Sequence, residues 1–573
     1  MNRKTNILVL TLILLSNYVF AQDKKIDFYG AGRFNMINSS MEGNILNQDT
    51  TNPRRHQTGY ALFDLGFHIR PTEFTEIKAT TRVQNDLNGF WGGGINYQLR
   101  ELYLRGLLFK KIAFQVGDLN TKMTPLTLYN FTEEVGENQV KALRLFQEIN
   151  HYDKFYGDHS WRQQGAQVNM AFDFKKYLNQ VSLTGLITKN KQTDYFSIPD
   201  RLFSGFTVAT KSFNHLHVNY QVAQTFDVKN TAMFSNTHYK NTVHTISLKD
   251  QYQIADWLMA LNVEMGQSFV DYTAYLNQVQ TPEGNCMNGN LVFKNKKHKL
   301  SFELGMNYVS TSFRSMGSQT RRINWNQIAA QFPYYTNREI PRPAGLIEIM
   351  TDPGYLSTQL NPNLSYFDPQ YENIRPYGMA TPNRQGIAAS IAWKHPHRNC
   401  VELQLNYLNE KEITGQGTTE LRKFNELKAN AIVRLNELYS GKKNFNVELF
   451  YKKQQTNRAG NTSIDGIALN SEIIKAGLNY VLFDQLELEL AAILFQAKGN
   501  ELIASRNTVN EIDFFTAYQT HLKEQIYVGG LNYQFGENTC LKVQYQQANR
   551  DNQLDPQKNY TLHRFAVIYN LFF

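Results

Sequence analysis

The sequence predicts an all-β protein, a single large antiparallel barrel whose strands cross a membrane. Two observations along the chain favour it. Segments with alternating apolar and polar residues recur throughout, and the connections between them alternate between short and long. A third observation concerns the membrane itself. After the amino-terminal region no stretch offers roughly 20 consecutive apolar residues, and mean hydropathy is −0.46, so a chain that crosses a membrane here must cross it as strands.

The alternation is clear in several segments. From Val401 to Tyr407 every second residue is apolar, and 216–222 and 541–546 repeat the pattern. Successive side chains of a strand point to opposite faces, so the apolar set is expected to face lipid and the polar set a wet interior. In lipid every backbone polar group must be paired, and such strands must therefore close into a barrel.

The strand count follows from the same pattern. We expect about 22 strands, within a range of 16 to 24, because some segments are ambiguous. The predicted spans are 26–36, 58–70, 73–86, 95–107, 110–118, 162–174, 179–190, 201–212, 214–226, 242–253, 256–269, 287–296, 298–310, 384–394, 400–410, 421–437, 443–454, 467–482, 485–498, 524–535, 539–548 and 560–573.

The connections are strongly asymmetric. Tight turns such as Pro71-Thr72 and Asp484 follow the even-numbered segments. The long connections follow odd-numbered segments and are 37–57, 119–161, 227–241, 270–286, 311–383 and 499–523. Short periplasmic turns and long extracellular loops are typical of outer-membrane barrels, whereas a soluble sandwich, which the 13% aromatic content would also suit, has no reason to keep this asymmetry.

The chain ends on an alternating apolar face that is formed by Phe565, Val567, Tyr569, Leu571 and Phe573. This ending resembles the closing strand of a Gram-negative outer-membrane barrel. In that family the pattern is the signal that the barrel insertion machinery reads. The resemblance implies that the last strand pairs with the first strand and seals the barrel.

The amino terminus predicts export. Arg3 and Lys4 precede the apolar run Ile7–Leu15, and small residues surround a cleavage point after Ala21. This pattern is typical of a secretory signal, so we expect a signal peptide over 1–21 and a barrel over 22–573 in the cell outer membrane.

The barrel resembles Bacteroidota-type porin-like proteins in its Asn, Lys and Tyr usage. Transporters that depend on TonB resemble it in strand number, but they carry an amino-terminal plug of over a hundred residues. Here the first predicted strand begins directly after the signal, which argues against that class.

Composition narrows the function. A formal charge of +9 in an exported chain gives no reason to expect a nucleic-acid partner. Three sparse cysteines predict neither a disulfide framework nor a zinc site, and we expect no cofactor. The histidine pairs at 215–217 and 395–397 are better explained as turn residues, and no Gly-x-Ser-x-Gly motif occurs, so we expect no enzyme.

Charged residues fall on the polar faces of many segments, with basic ones early and acidic ones late. Two interpretations remain open: a transverse field across a pore, or local pairing between neighbouring strands. The candidate pore-lining residues are Arg33, Lys78, Arg82, Arg105, Glu264, Glu303, Glu402, Glu448 and Glu489.

Two long loops carry further signals. Loop 311–383 holds eight of the 15 prolines and many tyrosines, which suits a lid or inward-folded constriction, a platform for a surface partner, or a protective cap. Loop 119–161 contains Val140, Leu143 and Phe146 at helical spacing within 133–149. We expect a short amphipathic helix that packs on the loop cluster.

These observations predict a porin-like channel for passive diffusion of small hydrophilic solutes. The alternative is a non-enzymatic barrel scaffold or receptor subunit of an envelope complex, for secretion, adhesion or surface-lipoprotein docking. The expected partners are outer-membrane lipid and the barrel insertion machinery, together with a possible surface lipoprotein or homo-oligomer.

Overall fold

A computed structural model describes most of the chain. The described residues are 26–47, 55–87, 95–131, 137–155, 157–174, 177–213, 215–234, 238–273, 279–320, 342–352, 356, 360, 364, 367–394, 399–414, 418–438, 443–460, 465–507 and 512–573. The predicted signal peptide, 1–21, lies outside them.

Strands dominate the described chain. The strands are β1 Ile26–Glu42, β2 Arg55–Thr72, β3 Thr75–Asp86, β4 Ile95–Leu108, β5 Ile112–Thr121, β6 Tyr129–Phe131, β7 Trp161–Asp173, β8 Leu178–Lys191, β9 Arg201–Ser212, β10 Leu216–Asp227, β11 His238–Ile254, β12 Trp257–Thr273, β13 Val279–Gln280, β14 Glu283–Asn295, β15 Leu300–Val309, β16 Ser318–Thr320, β17 Arg384–Lys394, β18 Cys400–Asn409, β19 Lys423–Arg434, β20 Phe445–Arg458, β21 Ile467–Phe483, β22 Leu486–Arg506, β23 Ile512–Gly536, β24 Thr539–Asn552 and β25 Tyr560–Phe572. The helices are α1 Lys141–Lys154, α2 Leu346–Thr351 and α3 Leu435–Leu438, with 3-10 turns at Asn44–Asn47, Gly378–Ala380 and Pro556–Lys558.

The strands form one closed barrel. The main sheet has 23 strands, and removing β13, a two-residue ladder on β12, leaves 22 long antiparallel strands. Strand β1 pairs with both β2 and β25, which closes the wall. Strands β6 and β16 form a separate parallel pair. The prediction of a single all-β barrel of about 22 strands is confirmed, and each predicted segment overlaps one wall strand.

The prediction of a loop over 499–523 is wrong in most of its length. Strand β22 runs on to Arg506 and β23 begins at Ile512, with a bulge near the tip. The extension is held from one side because the Tyr518 hydroxyl donates to Asp368 at 2.6 Å and the Thr520 hydroxyl donates to Gln370 at 2.8 Å. The segment that contains Asp368 and Gln370 therefore stabilises the extended β22–β23 hairpin, although the alternation of apolar and polar residues is weak in this part of the sequence.

The outer surface of the wall is apolar. On β18 the side chains of Val401, Leu403, Leu405 and Tyr407 are exposed, and on β25 the exposed Phe565 continues the outward set that ends at Phe573. Contiguous apolar surface of this extent on a water-soluble monomer would be unusual. It fits a wall that faces lipid.

The carboxy-terminal Phe573 seals the seam between the first and last strands. Its amide donates to the Gly30 carbonyl at 3.1 Å, and the Gly30 amide donates to the Phe573 carbonyl at 2.9 Å. The Phe573 ring stacks on Phe63 with centroids 5.9 Å apart. A Cβ at Gly30 would lie 2.6 Å from this ring, so glycine is needed for the close approach.

Deleting Phe573 is expected to lower the yield of assembled barrel several-fold, because it removes the two hydrogen bonds between Phe573 and Gly30 and the last residue of the predicted insertion pattern. Heat-modifiable electrophoretic mobility of outer-membrane fractions measures assembly. The control is Phe535→Ala, which removes an exposed ring near the end of β23 but leaves the seam intact. Equal yields for the two variants would contradict the prediction.

Candidate functional site

Two inward-folded segments occupy the barrel interior. The first includes α1, whose preceding residues contact Lys428 and Lys475 of the wall and whose last turn contacts Arg33. The second is the described part of 311–383, and its helix α2 touches α1. The two inward-folded segments therefore line the interior of the barrel together with the wall strands.

An apolar seat on the inner wall holds α1. Leu143, Phe146 and Ile149 of the helix are buried in one cluster with inward residues of β21–β25 such as Ile493 and Ile568. The expectation that the inner face is polar and wet is wrong on this arc. Its apolar side chains avoid water by packing on the helix, and the helix in turn buries its own apolar face.

The amino-terminal end of α1 binds carboxylates of the wall. Glu448 accepts from the Lys141 amide at 2.7 Å and pairs with Arg144 at 3.0 Å. The Lys141 ammonium pairs with Glu487 at 2.5 Å. Negative charge at a helix amino terminus is stabilising because unpaired amides and the helix dipole favour it.

The opposite end of α1 enters a buried ionic network, the Asp64 cluster, formed by Arg33, Asp64, Arg82, Arg100, Tyr152 and Asp153. Arg82 contacts Asp64 bidentately at 2.7 and 2.8 Å, and Arg100 also pairs with Asp64. Asp153 of the helix binds Arg33 at 2.9 Å and Arg82 at 2.8 Å. Arg33 and Arg82 of the wall thus fix the end of α1 by binding the same side chain, Asp153.

Tyr152 completes the Asp64 cluster. Its hydroxyl donates to Asp64 at 2.7 Å, and its ring lies under the Arg100 guanidinium at 4.5 Å. Burial and the neighbouring Asp64 carboxylate raise the pKa of Tyr152 to about 12. The phenol therefore stays protonated and remains a hydrogen-bond donor at neutral pH.

The four basic candidates each lie beside a carboxylate. Lys78 pairs with Glu101 at 3.1 Å, and Arg105 pairs with Glu76 on the neighbouring strand. Arg33 and Arg82 belong to the Asp64 cluster. The contacts of Lys78, Arg82 and Arg105 agree with local pairing between neighbouring strands, whereas Arg33 pairs with Asp153 of α1.

The five acidic candidates are less uniform. Glu489 pairs with Lys542 at 2.6 Å and Glu402 with Lys394 at 3.4 Å, while Glu448 binds α1. Glu303 accepts from the Asn290 amide at 2.7 Å, and Glu264 accepts from the Thr124 hydroxyl. Neither Glu264 nor Glu303 forms an ion pair with another described residue. A pore-lining role for the nine candidates stays a prediction.

The described part of loop 311–383 is fastened to the inner wall. Glu372 binds Lys452 at 2.6 Å, and the Tyr371 hydroxyl donates to Glu524 at 2.6 Å. The Asn373 amide donates to Glu501 at 2.7 Å. Among the three interpretations of this loop, an inward-folded segment agrees with these contacts.

Sequence reasoning missed several residues of this interior. Asp64, Arg100 and Asp153 carry the ionic network but were not singled out, since their partners are distant in sequence. The apolar seat of α1 could have been predicted from the sequence. Leu490–Phe495 is an unbroken apolar run, and such a run indicates a strand whose two faces are both covered.

Other chemistry is sparse in the described chain. Its residues contain no group of three or more His, Cys, Asp or Glu side chains placed to hold a metal ion, and the three cysteines are free. Over the same residues, no helix is long and apolar enough to span a membrane.

No protein-family model and no curated protein matches the chain. Solved structures do. The Pseudomonas aeruginosa proteins OccK5 (OpdH) and OccK9 (OpdG) are 10% and 8% identical, with TM-scores of 0.34 and 0.38. Each alignment covers 96% of this chain, and 98% and 99% of the respective neighbour. A BenF-like porin from Pseudomonas fluorescens Pf-5 is 10% identical with a TM-score of 0.37, covering 96% and 99%.

The barrel assignment rests on the strand pairing of this chain and not on those neighbours. A closed 22-strand wall with an apolar exterior defines an outer-membrane β-barrel protein. Apart from Phe573, all described residues belong to wall strands or to segments that connect them.

Proposed function

We propose that the protein is an outer-membrane channel for passive diffusion of small hydrophilic solutes. One observation carries the proposal: segments tethered to the wall at several points occupy part of a lumen that is too wide for wall side chains to fill alone. Tethered internal segments are a means of narrowing a wide barrel to a selective path.

The interior contacts favour a narrow path over a wide one. Segment 137–154 covers inward groups from β19 to β4, and a second cluster packs 126–128 and Phe313 on the inner side of β7–β15. Solutes would pass between these segments, and their charged and hydroxyl groups would set size and charge preference.

Single-channel recording in planar bilayers tests the proposal. The full chain is expected to give stepwise conductance with steps smaller than those of a general diffusion porin under the same salt. The control is the same preparation after heat unfolding. The absence of steps where a known porin conducts would overturn the channel function.

A second candidate is a scaffold or receptor subunit of an envelope complex, for secretion, adhesion or surface-lipoprotein docking. The hairpin of β22 and β23 favours it, since these strands have 21 and 25 residues whereas about 9–11 span a membrane. Isolation from native membranes in mild detergent separates the candidates: a stoichiometric partner supports the scaffold, and a lone barrel or homo-oligomer supports the channel.

A further inference from the structure

The hairpin of β22 and β23 leaves one of its two edges open beyond the end of β24. Strand β24 pairs with β23 as far as Leu522, which lies opposite Asn552, and one further bond joins the Gln553 amide to the His521 carbonyl at 2.9 Å. Strand β23, however, already begins at Ile512. On the β24 side, segment 514–519 therefore has no partner strand in the part of the chain that the structure describes.

The open edge presents the backbone groups of three residues. Successive residues of a strand direct their N–H and C=O groups to opposite edges. His521 faces β24, and the pairing of β22 with β23 is continuous through 514–533, so Phe515, Ala517 and Gln519 face the same side as His521. Among the described residues, none forms a hydrogen bond with the amides or carbonyls of these three.

The opposite edge of the hairpin is partly covered by the chain itself. On β22 the Leu502 amide donates to the Glu501 carboxylate at 2.8 Å, and the Leu502 carbonyl accepts from Arg422 at 3.5 Å. Strand β23 is instead held through side chains, since the hydroxyls of Tyr518 and Thr520 bond to the segment that contains Asp368 and Gln370. These contacts leave the backbone groups of the open edge unused.

The open edge lacks the features by which proteins usually protect exposed strands. Such edges commonly carry lysine, proline or inward charges, or are covered. Segment 514–519 reads Phe-Phe-Thr-Ala-Tyr-Gln, without a charged residue or a proline, and most of these residue types favour strands. Phe514 is 60% exposed, and Ala517 and Gln519 are exposed as well. An edge of this composition is suited to pair with another strand.

A second copy of this chain in the same membrane does not fit the edge. A two-fold axis pairs a strand with its own copy only when the axis is perpendicular to the strand, which gives antiparallel pairing. Two barrels in one membrane share the membrane normal, and their strands are tilted from it by roughly 35–45°. A two-fold axis along the normal would therefore bring the two copies of β23 together crossed and not antiparallel.

From this geometry we infer that the edge 515–519 of β23 binds an extended segment of a different protein, which adds to the sheet as a further strand. In this mode of recognition main-chain hydrogen bonds supply affinity and alternate side chains supply specificity. The edge carries no charge, and Phe514 and Phe515 lie on its opposite faces. The segment is therefore expected to be uncharged and to place aromatic or β-branched residues opposite them, in the position that β24 leaves after Asn552.

This inference deepens the second candidate function by assigning a binding surface to it, and it rests on that candidate only for the role of the partner. The two can fail separately. A stoichiometric partner that co-purifies while the edge stays open would leave the scaffold standing, and a covered edge in native membranes without a co-purifying subunit would leave the edge standing.

Hydrogen exchange with residue-level mass spectrometry tests the edge on the full chain, in native outer-membrane vesicles and after purification to a single species in detergent. The amides of Phe515, Ala517 and Gln519 are expected to exchange at least tenfold more slowly in the vesicles, because pairing protects them. The amide of Tyr518, which faces β22, is expected to exchange equally in both. Equal rates at the three edge amides would overturn the inference. Slow exchange that persists in the purified chain would overturn it too, since this chain would then cover its own edge.

One variant separates strand pairing from other contacts. Ala517→Pro removes an N–H that has no partner among the described residues, so the barrel is expected to stay heat-modifiable, but an added strand loses a donor. Slow exchange at Phe515 and Gln519 in vesicles is expected to be lost in this variant and kept in Ala517→Ser, which retains the N–H. Slow exchange in folded Ala517→Pro would overturn the inference, and if this variant fails to fold, the comparison of vesicles with detergent decides alone.

Discussion

Replacing Phe146 by Glu is expected to raise single-channel conductance several-fold while the barrel stays assembled. Phe146 is 5% exposed and lies in the cluster that seats α1 on the inner wall. Truncating a buried Phe alone costs about 3–5 kcal/mol, and a carboxylate in the same apolar seat would add a desolvation cost. The helix would leave its seat, and the path beside it would widen.

The wall does not depend on this helix for its own hydrogen bonds. Each wall strand pairs with its neighbours through backbone ladders, and β1 closes on β25. Detaching α1 therefore removes packing inside the lumen without opening the sheet. Heat-modifiable mobility is expected to report a folded Phe146→Glu barrel, and planar-bilayer recording measures the step size.

Gln147→Glu is the matched control, because it adds the same charge at the next, partly exposed position of α1. It is expected to leave the step size unchanged. If Phe146→Glu conducts like Gln147→Glu and the wild-type chain, α1 does not limit the path, and the proposed narrowing of the lumen by this segment is wrong.

The wall of this protein could be predicted from sequence because lipid imposes a simple rule on it. Alternation from Val401 to Tyr407 and from Phe565 to Phe573 gives the outward faces correctly, since an outward polar residue would meet hydrocarbon. The short turns indicate that consecutive strands lie next to each other in the sheet. Neither signal depends on what fills the barrel.

The interior was harder to predict for two physical reasons. Apolar inward residues such as Ile493 and Ile568 break the expected polar face, because a helix from a distant loop covers them. The helix itself was predicted within 133–149 but spans Lys141–Lys154. Its last turn is fixed by ion pairs to Arg33 and Arg82, which are 120 and 71 residues away from Asp153, and no local pattern reports contacts over such separations.

Replacing Asp64 by Asn is expected to lower the free energy of unfolding by about 3–5 kcal/mol, the usual cost of removing one partner from a buried ionic network. Asp64 is 0% exposed and accepts from Arg82, Arg100 and the Tyr152 hydroxyl. Without its charge two buried guanidinium groups lose their shared carboxylate. The midpoint of urea unfolding in lipid vesicles, followed by tryptophan fluorescence, measures the change.

Asp27→Asn is the matched control, since it also removes an aspartate that pairs with an arginine of the neighbouring strand. The Asp27–Arg70 pair is far more exposed than the Asp64 cluster, and exposed pairs contribute about 0–1 kcal/mol. A double variant, Asp64→Asn with Arg82→Gln, is expected to lose less stability than the sum of the two single changes, because the second change removes one of the two guanidinium groups that lose the Asp64 carboxylate in the first. Strict additivity, or an Asp64→Asn effect no larger than that of Asp27→Asn, would show that the network does not act as a unit in fixing the end of α1.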